Sequence, residues 1–342
     1  MAYAQANFEP QTLNIDPTPK MHTASTVLVT GCAGFIGSHL TERLLQRGYR
    51  VIGIDNFDPF YARTLKEENL SNVSNNPQFQ FIEADIQGVD WQHELAGSVD
   101  SVIHIAAKAG VRPSIEAPDA YVQTNIVGTN NLLTWMQQRG VNKLVFASSS
   151  SVYGNNPKVP FSEGDAVERP ISPYAFTKRS GELLTYNYHH LYQMSVVNLR
   201  FFTVFGERQR PDLAINKFVR MIAADQPVTM YGTGDTSRDY TYVGDIVTGI
   251  LAAHRYVTDN PNTYEIINLG NSGPVTLQTL VDTIYDLMGK TPNIEYLPKQ
   301  PGDVERTYAD VAKASRLLNY QPTVSLREGL RRFIAWQEAK SL

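Results

Sequence analysis

Thr26-Val-Leu-Val-Thr-Gly31-Cys-Ala-Gly34-Phe-Ile-Gly37-Ser-His-Leu40 is the stretch from which the rest of the chain can be read. Val27 to Val29 form an apolar run that reads as a strand buried in a parallel sheet. Gly31, Gly34 and Gly37 follow at spacings of three, and an amphipathic helix runs from about Phe35 to Gly48. A second apolar run, Arg50 to Ile54, stops at Asp55. Gly31 permits a tight turn. Gly34 lets the backbone approach a pyrophosphate at the helix N-terminus, where free N–H groups and the helix dipole favour an anion. Gly37 permits close packing of helix on sheet. Phe35 and Ile36, which open the helix, are counted with the cofactor contacts. A carboxylate at Asp55 can accept from a ribose 2′-OH and repels a 2′-phosphate, which favours NAD over NADP. An ordinary tight strand-to-helix turn would explain the glycines alone. The strand before, the helix after and the acid beyond the next strand favour dinucleotide binding.

Composition narrows the field. The chain has 342 residues and a formal net charge of −4, with mixed signs along its length. It is long enough for a large core, and no basic block points to nucleic acid or a lipid surface. One cysteine, Cys32, rules out an internal disulfide and a cysteine-rich metal site. The seven histidines show no metal-ligand spacing, so no metal is expected. No apolar run approaches the ~20 residues of a membrane span. Residues 1 to 25 are polar with scattered prolines and read as a loosely ordered extension. A cytoplasmic protein is the expectation.

Beyond Asp55, Asn56 opens a loop that leads to a helix near Leu65 to Leu70, and Phe79 to Glu83 reads as a third strand. Asp85 and Ile86, just past its end, could contact an adenine; a turn acid is the equal alternative. Asp100 to Ala107 is a fourth strand, closing on the small residues Ala106-Ala107-Lys108-Ala109-Gly110, which leave room for a ligand. Ala120 to Gly140 is helical, with Asn125 inside it. Lys143 to Ala147 is a fifth strand running into Ser148-Ser149-Ser150-Ser151. Strands alternating with helices mean a doubly wound parallel sheet of Rossmann type, α/β in class, with chemistry at the strand carboxyl ends. Ser172-Pro173-Tyr174 starts another helix, with Ser as N-cap and Pro in the first turn. Val196 to Phe201 is a sixth strand, Tyr264 to Gly270 a later one. Gly206 to Pro211 and Tyr231 to Tyr240 read as loops, and Asn216 to Ala224, Asp245 to Tyr256 and Leu277 to Met288 as helices. The division expected is a cofactor domain of residues 26–198 with roughly 244–268, and a smaller lobe of residues 199–243 and 269–342.

Tyr174 and Lys178 lie four apart, on one helical face. A phenol with a pKa near ~10 is a poor base at neutral pH. An ammonium one turn away favours the phenolate, and a serine at the end of the fifth strand can relay the proton to a substrate oxygen. A lone Tyr-x-x-x-Lys is common by chance; its position after the glycine module and the serine run gives it weight.

Together these features resemble the extended short-chain dehydrogenase/reductases, the NAD-dependent nucleotide-sugar epimerases and dehydratases, from about residue 26 to the C-terminus. The resemblance implies that Gly31, Gly34 and Gly37 meet the pyrophosphate, Asp55 and Asn56 the adenosine ribose, and Asp85-Ile86 the adenine. It also implies that Ala106, Ala107, Lys108 and Asn125 border the cofactor. Tyr174 and Lys178 match the catalytic pair, which also contacts the cofactor, and Ser149 matches the catalytic hydroxyl. In 4,6-dehydratases similar segments carry an Asp-Glu pair in the two positions after that hydroxyl, and in UDP-glucuronate decarboxylases and GDP-mannose dehydratases a Glu occupies the second. This chain has Ser150 and Ser151, so reversible oxidation at C4, an epimerisation, is what remains. Lys108 to Ser114, Ala147 to Gly154 and Arg200 to Ala214 resemble the matching stretches of UDP-glucuronate 4-epimerases. Arg210 matches an arginine that faces the sugar carboxylate, and a planar guanidinium can clamp a carboxylate through two hydrogen bonds. A solvated loop or a phosphate contact is the alternative for Arg208 and Arg210. Arg112, Ser150, Ser151, Thr203, Lys217, Phe218, Tyr231, Arg238, Asp303 and Arg306 match other positions near a UDP-sugar. Glu207, and Lys299-Gln300, depart from the pattern.

The function expected is therefore interconversion of UDP-glucuronate and UDP-galacturonate with bound NAD. An epimerase of UDP-glucose or N-acetyl sugars, a decarboxylase or dehydratase, and an inactive NAD-binding regulator are the rivals. The resemblance implies a homodimer through the Ala120–Gly140 and Tyr174–Tyr192 helices.

Overall fold

The computed structural model describes residues 25–95, 97–298 and 305–340. Strands β1 (Thr26–Thr30), β2 (Arg50–Asp55), β3 (Phe79–Glu83), β4 (Ser101–His104), β5 (Lys143–Ser149) and β6 (Ser195–Phe201) enter one sheet. Strands β7 (Thr203–Phe205), β8 (Val228–Tyr231) and β9 (Ser237–Tyr242) lie outside it. Strand β10 (Tyr264–Leu269) returns to it, and β11 (Pro274–Thr276) and β12 (Ile294–Leu297) do not. The helices are α1 (Phe35–Gln46), α2 (Arg63–Leu70), α3 (Trp91–Glu94), α4 (Val111–Glu116), α5 (Pro118–Val122), α6 (Thr129–Arg139), α7 (Pro173–Tyr192), α8 (Ala214–Ala223), α9 (Val243–Asp259), α10 (Leu277–Leu287), α11 (Ala312–Leu318) and α12 (Leu326–Lys340).

The main sheet has seven strands in the order β10-β6-β5-β4-β1-β2-β3, each parallel to its neighbours. Strands β1 and β6 are buried along their whole length; β1 reads as a continuous apolar run rather than an alternating one, while β6 carries Asn198 and Arg200 within its buried run. Leu40 and Leu44 of α1 and Ile246 and Ile250 of α9 belong to the core on one face; Leu132 and Met136 of α6, with Leu28 and Phe146, belong to the core on the other. The strand order reverses between β1 and β4, and this opens a crevice at the carboxyl ends of the strands. A three-stranded sheet β11-β9-β7 and a two-stranded sheet β12-β8 stand apart from the main one.

The structure departs from the expected elements in four places. The Tyr231–Tyr240 loop contains the start of β9, because Asp239 is a fully buried strand residue. Its carboxylate accepts the backbone N–H of Asn271 at 2.7 Å, Ser272 at 3.0 Å and Ala309 at 3.0 Å. Hydropathy does not register a charge satisfied in this way. The fourth strand ends at His104, short of Ala107, since the chain leaves the ladder where the strand order reverses. The Ala120–Gly140 helix is two helices joined by a π-helical turn, Gln123–Gly128. Finally, β7, β8, β11, β12, α3, α4, α11 and α12 had no counterpart in the expectation.

Helix α7 follows its sequence signals. Ser172 Oγ accepts from Ala175 N at 3.1 Å, Pro173 occupies the first turn, and Gln193 in the left-handed region ends the helix. This places Tyr174 and Lys178 in the first two turns, against the end of β5.

Candidate active site

The crevice is a cavity of about 940 Å³. Its nucleotide end is built from β1, α1 and β2. Gly31 has φ of 72° and donates its N–H to Ile54 O at 2.7 Å. A Cβ on Gly37 would lie 1.9 Å from Gly31 O, so only glycine lets α1 approach this closely. Gly34 is the N-cap of α1 and supplies no side-chain cap, which leaves the first N–H groups of the helix to a ligand. These features fit a dinucleotide pyrophosphate. Asp55 is held by two backbone donors, Ala33 N at 3.1 Å and Phe57 N at 2.9 Å, and burial raises its pKa against the pull of Lys66. Asn56 Nδ2 donates to Asp85 at 2.8 Å, so the two residues expected at the adenosine share a hydrogen bond. Phe35, Ile36, Ile86, Ala106, Ala107 and Lys108 also line the cavity. Asn125 stands one layer behind it. Its side chain bonds Lys108 N at 2.8 Å, Lys108 O at 2.9 Å and Thr177 Oγ1 at 2.9 Å, so the π turn braces the cavity wall against α7.

The acid/base candidates converge where β5 meets α7. Burial pushes the Tyr174 phenol up; its hydrogen bond with Ser149 and the charge of Arg210 draw it down. Lys178, one turn further along α7, also reaches the end of β5. It donates to Ala147 O at 2.7 Å, and burial lowers its pKa to about 7. Ser149 Oγ donates to Ser151 Oγ at 3.1 Å and accepts from Ser151 N at 3.1 Å. The serine run thus forms a short hydroxyl chain beside the tyrosine. Ser150 and Ser151 face the cavity and bring no carboxylate there.

The far wall carries Arg112, Thr203, Arg210, Lys217, Phe218, Tyr231 and Arg238. Arg112 stacks over the Tyr231 ring at 5.5 Å, and Arg238 Nη1 donates to Ser237 O at 2.9 Å. Arg210 points into the cavity, while Arg208 turns away from it to pair with Glu42 of α1 at 2.6 Å. Arg306 is exposed beside Ser237 and is not part of the wall. Asp303, Lys299 and Gln300 lie outside the described residues. Glu207 accepts from Tyr242 Oη at 2.8 Å, and its carbonyl is 3.0 Å from His39 Nε2. With Arg208–Glu42, this ties the Arg210 loop to α1.

Several residues at or beside the site had no signal in the sequence. Lys66 is buried and donates to Asp58 O at 2.9 Å, and Lys108 pairs with Asp58 at 2.7 Å. Asp212 pairs with Arg210 at 2.8 Å. Glu182 is fully buried on α7 and gathers Ser148 Oγ at 2.6 Å, Arg200 twice at 2.8 Å and Arg179 at 3.0 Å. One clue existed: Glu182 lies four residues beyond Lys178 on the same helical face.

The family model described as GDP-mannose 4,6 dehydratase matches residues 28–333. A UDP-glucuronate 4-epimerase of Thermodesulfobacterium geofontis is 43% identical over 315 residues, which is 91% of this chain and 95% of that protein. The crystal structure of a UDP-glucuronic acid 4-epimerase from Bacillus cereus, in complex with UDP-glucuronic acid and NAD, superimposes with a TM-score of 0.87 at 38% identity, covering 92% of this chain and 99% of that one. The UDP-glucose 4-epimerase of Thermotoga maritima, solved with UDP-glucose, gives a TM-score of 0.84 at 31% identity, covering 93% and 100%. The chain belongs to the NAD-dependent epimerase/dehydratase family.

Proposed function

We propose that this member of the NAD-dependent epimerase/dehydratase family interconverts UDP-glucuronate and UDP-galacturonate by transient oxidation at C4. The observation that carries the reading is one cavity that holds Ser149, Tyr174 and Arg210, with hydroxyls rather than acids at Ser150 and Ser151. NAD, when bound, accepts the hydride from C4 and returns it to the other face of the sugar. Gly31, Gly34, Gly37 and the α1 N-terminus would hold its pyrophosphate, and Asp55 and Asn56 its adenosine ribose. Residues 26–198 with 244–268 would make the cofactor half, and 199–243 with 269–342 the sugar-nucleotide half.

Tyr174 takes the C4 hydroxyl proton, with Ser149 hydrogen-bonded between phenol and sugar oxygen, and gives it back when the ketone is reduced. Dehydration needs an acid/base at C5, and the two positions after Ser149 lack one. A 4-keto-uronate is a β-keto acid and loses CO₂ when its carboxylate aligns with the carbonyl. Arg210 clamps the carboxylate out of that alignment and selects a uronate over a neutral hexose. Arg112, Thr203, Lys217, Phe218, Tyr231 and Arg238 serve the rest of the UDP-sugar.

Arg210→Ala tests the substrate assignment. The expected result is a large rise in KM for UDP-glucuronate, with CO₂ release, and little change for UDP-glucose. Unchanged UDP-glucuronate turnover and affinity would refute it. A homodimer in the cytoplasm completes the proposal. Phe176, Leu183 and Tyr186 expose large apolar surface along α7, and Val127 does so in the neighbouring π turn. Light scattering after gel filtration should give twice the chain mass; a monomer would contradict it. Among the described residues, no helix is long and apolar enough to cross a membrane.

A further inference from the structure

A guanidinium carries five N–H donors in a fixed plane. Asp212 engages two of those of Arg210: Nε donates to Oδ1 at 3.0 Å and Nη2 to Oδ2 at 2.8 Å. Nη1 donates a third to the carbonyl of Ala109 at 3.3 Å. The Phe60 ring lies 4.9 Å from the guanidinium carbon and limits rotation out of plane. Among the described residues, one hydrogen then remains on Nη1 and one on Nη2. Those two nitrogens form the end of the fork, the edge that meets a planar carboxylate through two bonds. The group is buried at its head, with Arg210 only 16% exposed, and close enough to Tyr174 to bear on its titration.

We propose that Asp212 is the positioning residue that turns the Nη1–Nη2 edge of Arg210 toward the sugar carboxylate, and thereby sets the preference for a uronate. This deepens, and rests on, the uronate reading of the site. Side-on pairing with Asp212 takes the Nε–Nη2 edge, so a bidentate contact with a second carboxylate has to come through the Nη1–Nη2 edge, where Nη1 also donates to Ala109 O. It also removes the rotamer freedom that a free arginine would lose on binding. Asp212 neutralises part of the cation as well, so discrimination rests on orientation more than on net charge. A residue that acted only through charge would oppose an anionic substrate.

The experiment uses the holoenzyme as purified, in a Tyr174→Phe background so that the sugar is not turned over. Binding of UDP-glucuronate and of UDP-glucose is measured by calorimetry, with and without Asp212→Ala, and again with Asp212→Asn, which keeps one acceptor. The prediction is that Asp212→Ala weakens UDP-glucuronate by about tenfold or more and leaves UDP-glucose within about twofold. Asp212→Asn should fall between wild-type and alanine. An unchanged or tighter UDP-glucuronate Kd overturns the proposal, since Asp212 would then merely compete for Arg210. Equal weakening of both ligands also overturns it, because that would report general loosening of the loop. A parent with Asp212 intact that binds both sugars alike would overturn the uronate reading itself, and the proposal with it.

Discussion

Lys178 donates its ammonium to the carbonyl of Ala147 at 2.7 Å, so the helix bearing Tyr174 is tied to the strand end that leads into Ser149. Burial holds the Lys178 pKa down at about 7, against an ordinary 10.5. Between those values the unfolded chain binds a proton that the folded one does not, so stability rises with pH across this window. Lys178→Met removes the group. The variant should therefore lose a slope of up to ~1.4 kcal/mol per pH unit between about 7 and 10. Urea denaturation of both proteins at several pH values reads the difference. Identical slopes would mean that Lys178 titrates normally. Activity should fall in the same variant.

Glu182 and Arg200 form a fully buried pair, with Ser148 and Arg179 completing the carboxylate's bonds. Glu182→Met leaves the Arg200 guanidinium buried without its carboxylate, and Arg200→Met leaves the buried Glu182 with Arg179 as its remaining cation. Arg200→Met or Glu182→Met should each cost about 3–5 kcal/mol, and the double variant should recover much of that. Thermal melts of the three proteins test this. A double variant as unstable as the sum of the singles would show that the pair is not the unit.

Gly37→Ala should expel the cofactor. The added carbon would sit 1.9 Å from Gly31 O, so α1 must move off the glycine turn. Denaturing the purified variant and measuring released NAD should give a small fraction of the wild-type content. Equal content would place the dinucleotide elsewhere.

The nucleotide half of the crevice was legible because its signals are local. From Thr26 to Asp55, each glycine, apolar run and acid acts within its own strand-turn-helix unit. The helix with Tyr174 and Lys178 was equally legible, from its Ser172 cap and its Pro173. What the sequence hid depends on residues far apart. Asp239 reads as a loop acid until the backbones of Asn271, Ser272 and Ala309 satisfy it. Glu182 of α7 gains its partner only when Arg200, on β6, reaches it. Asp212 and Arg210 are neighbours in sequence, yet their spacing alone does not say which edge of the guanidinium is taken. Helices α11 and α12 carry short or mixed apolar patterns and gain their burial from contacts with distant elements.

The central claim is most directly tested by incubating the purified protein with UDP-glucuronate, without added cofactor, and separating the products by chromatography with mass detection. A UDP-sugar of the same mass, rising to an equilibrium mixture with the substrate, is the predicted result, since the cofactor should stay bound. Failure to convert UDP-glucuronate while UDP-glucose is converted would contradict the account. So would a main product lighter by CO₂ or by water.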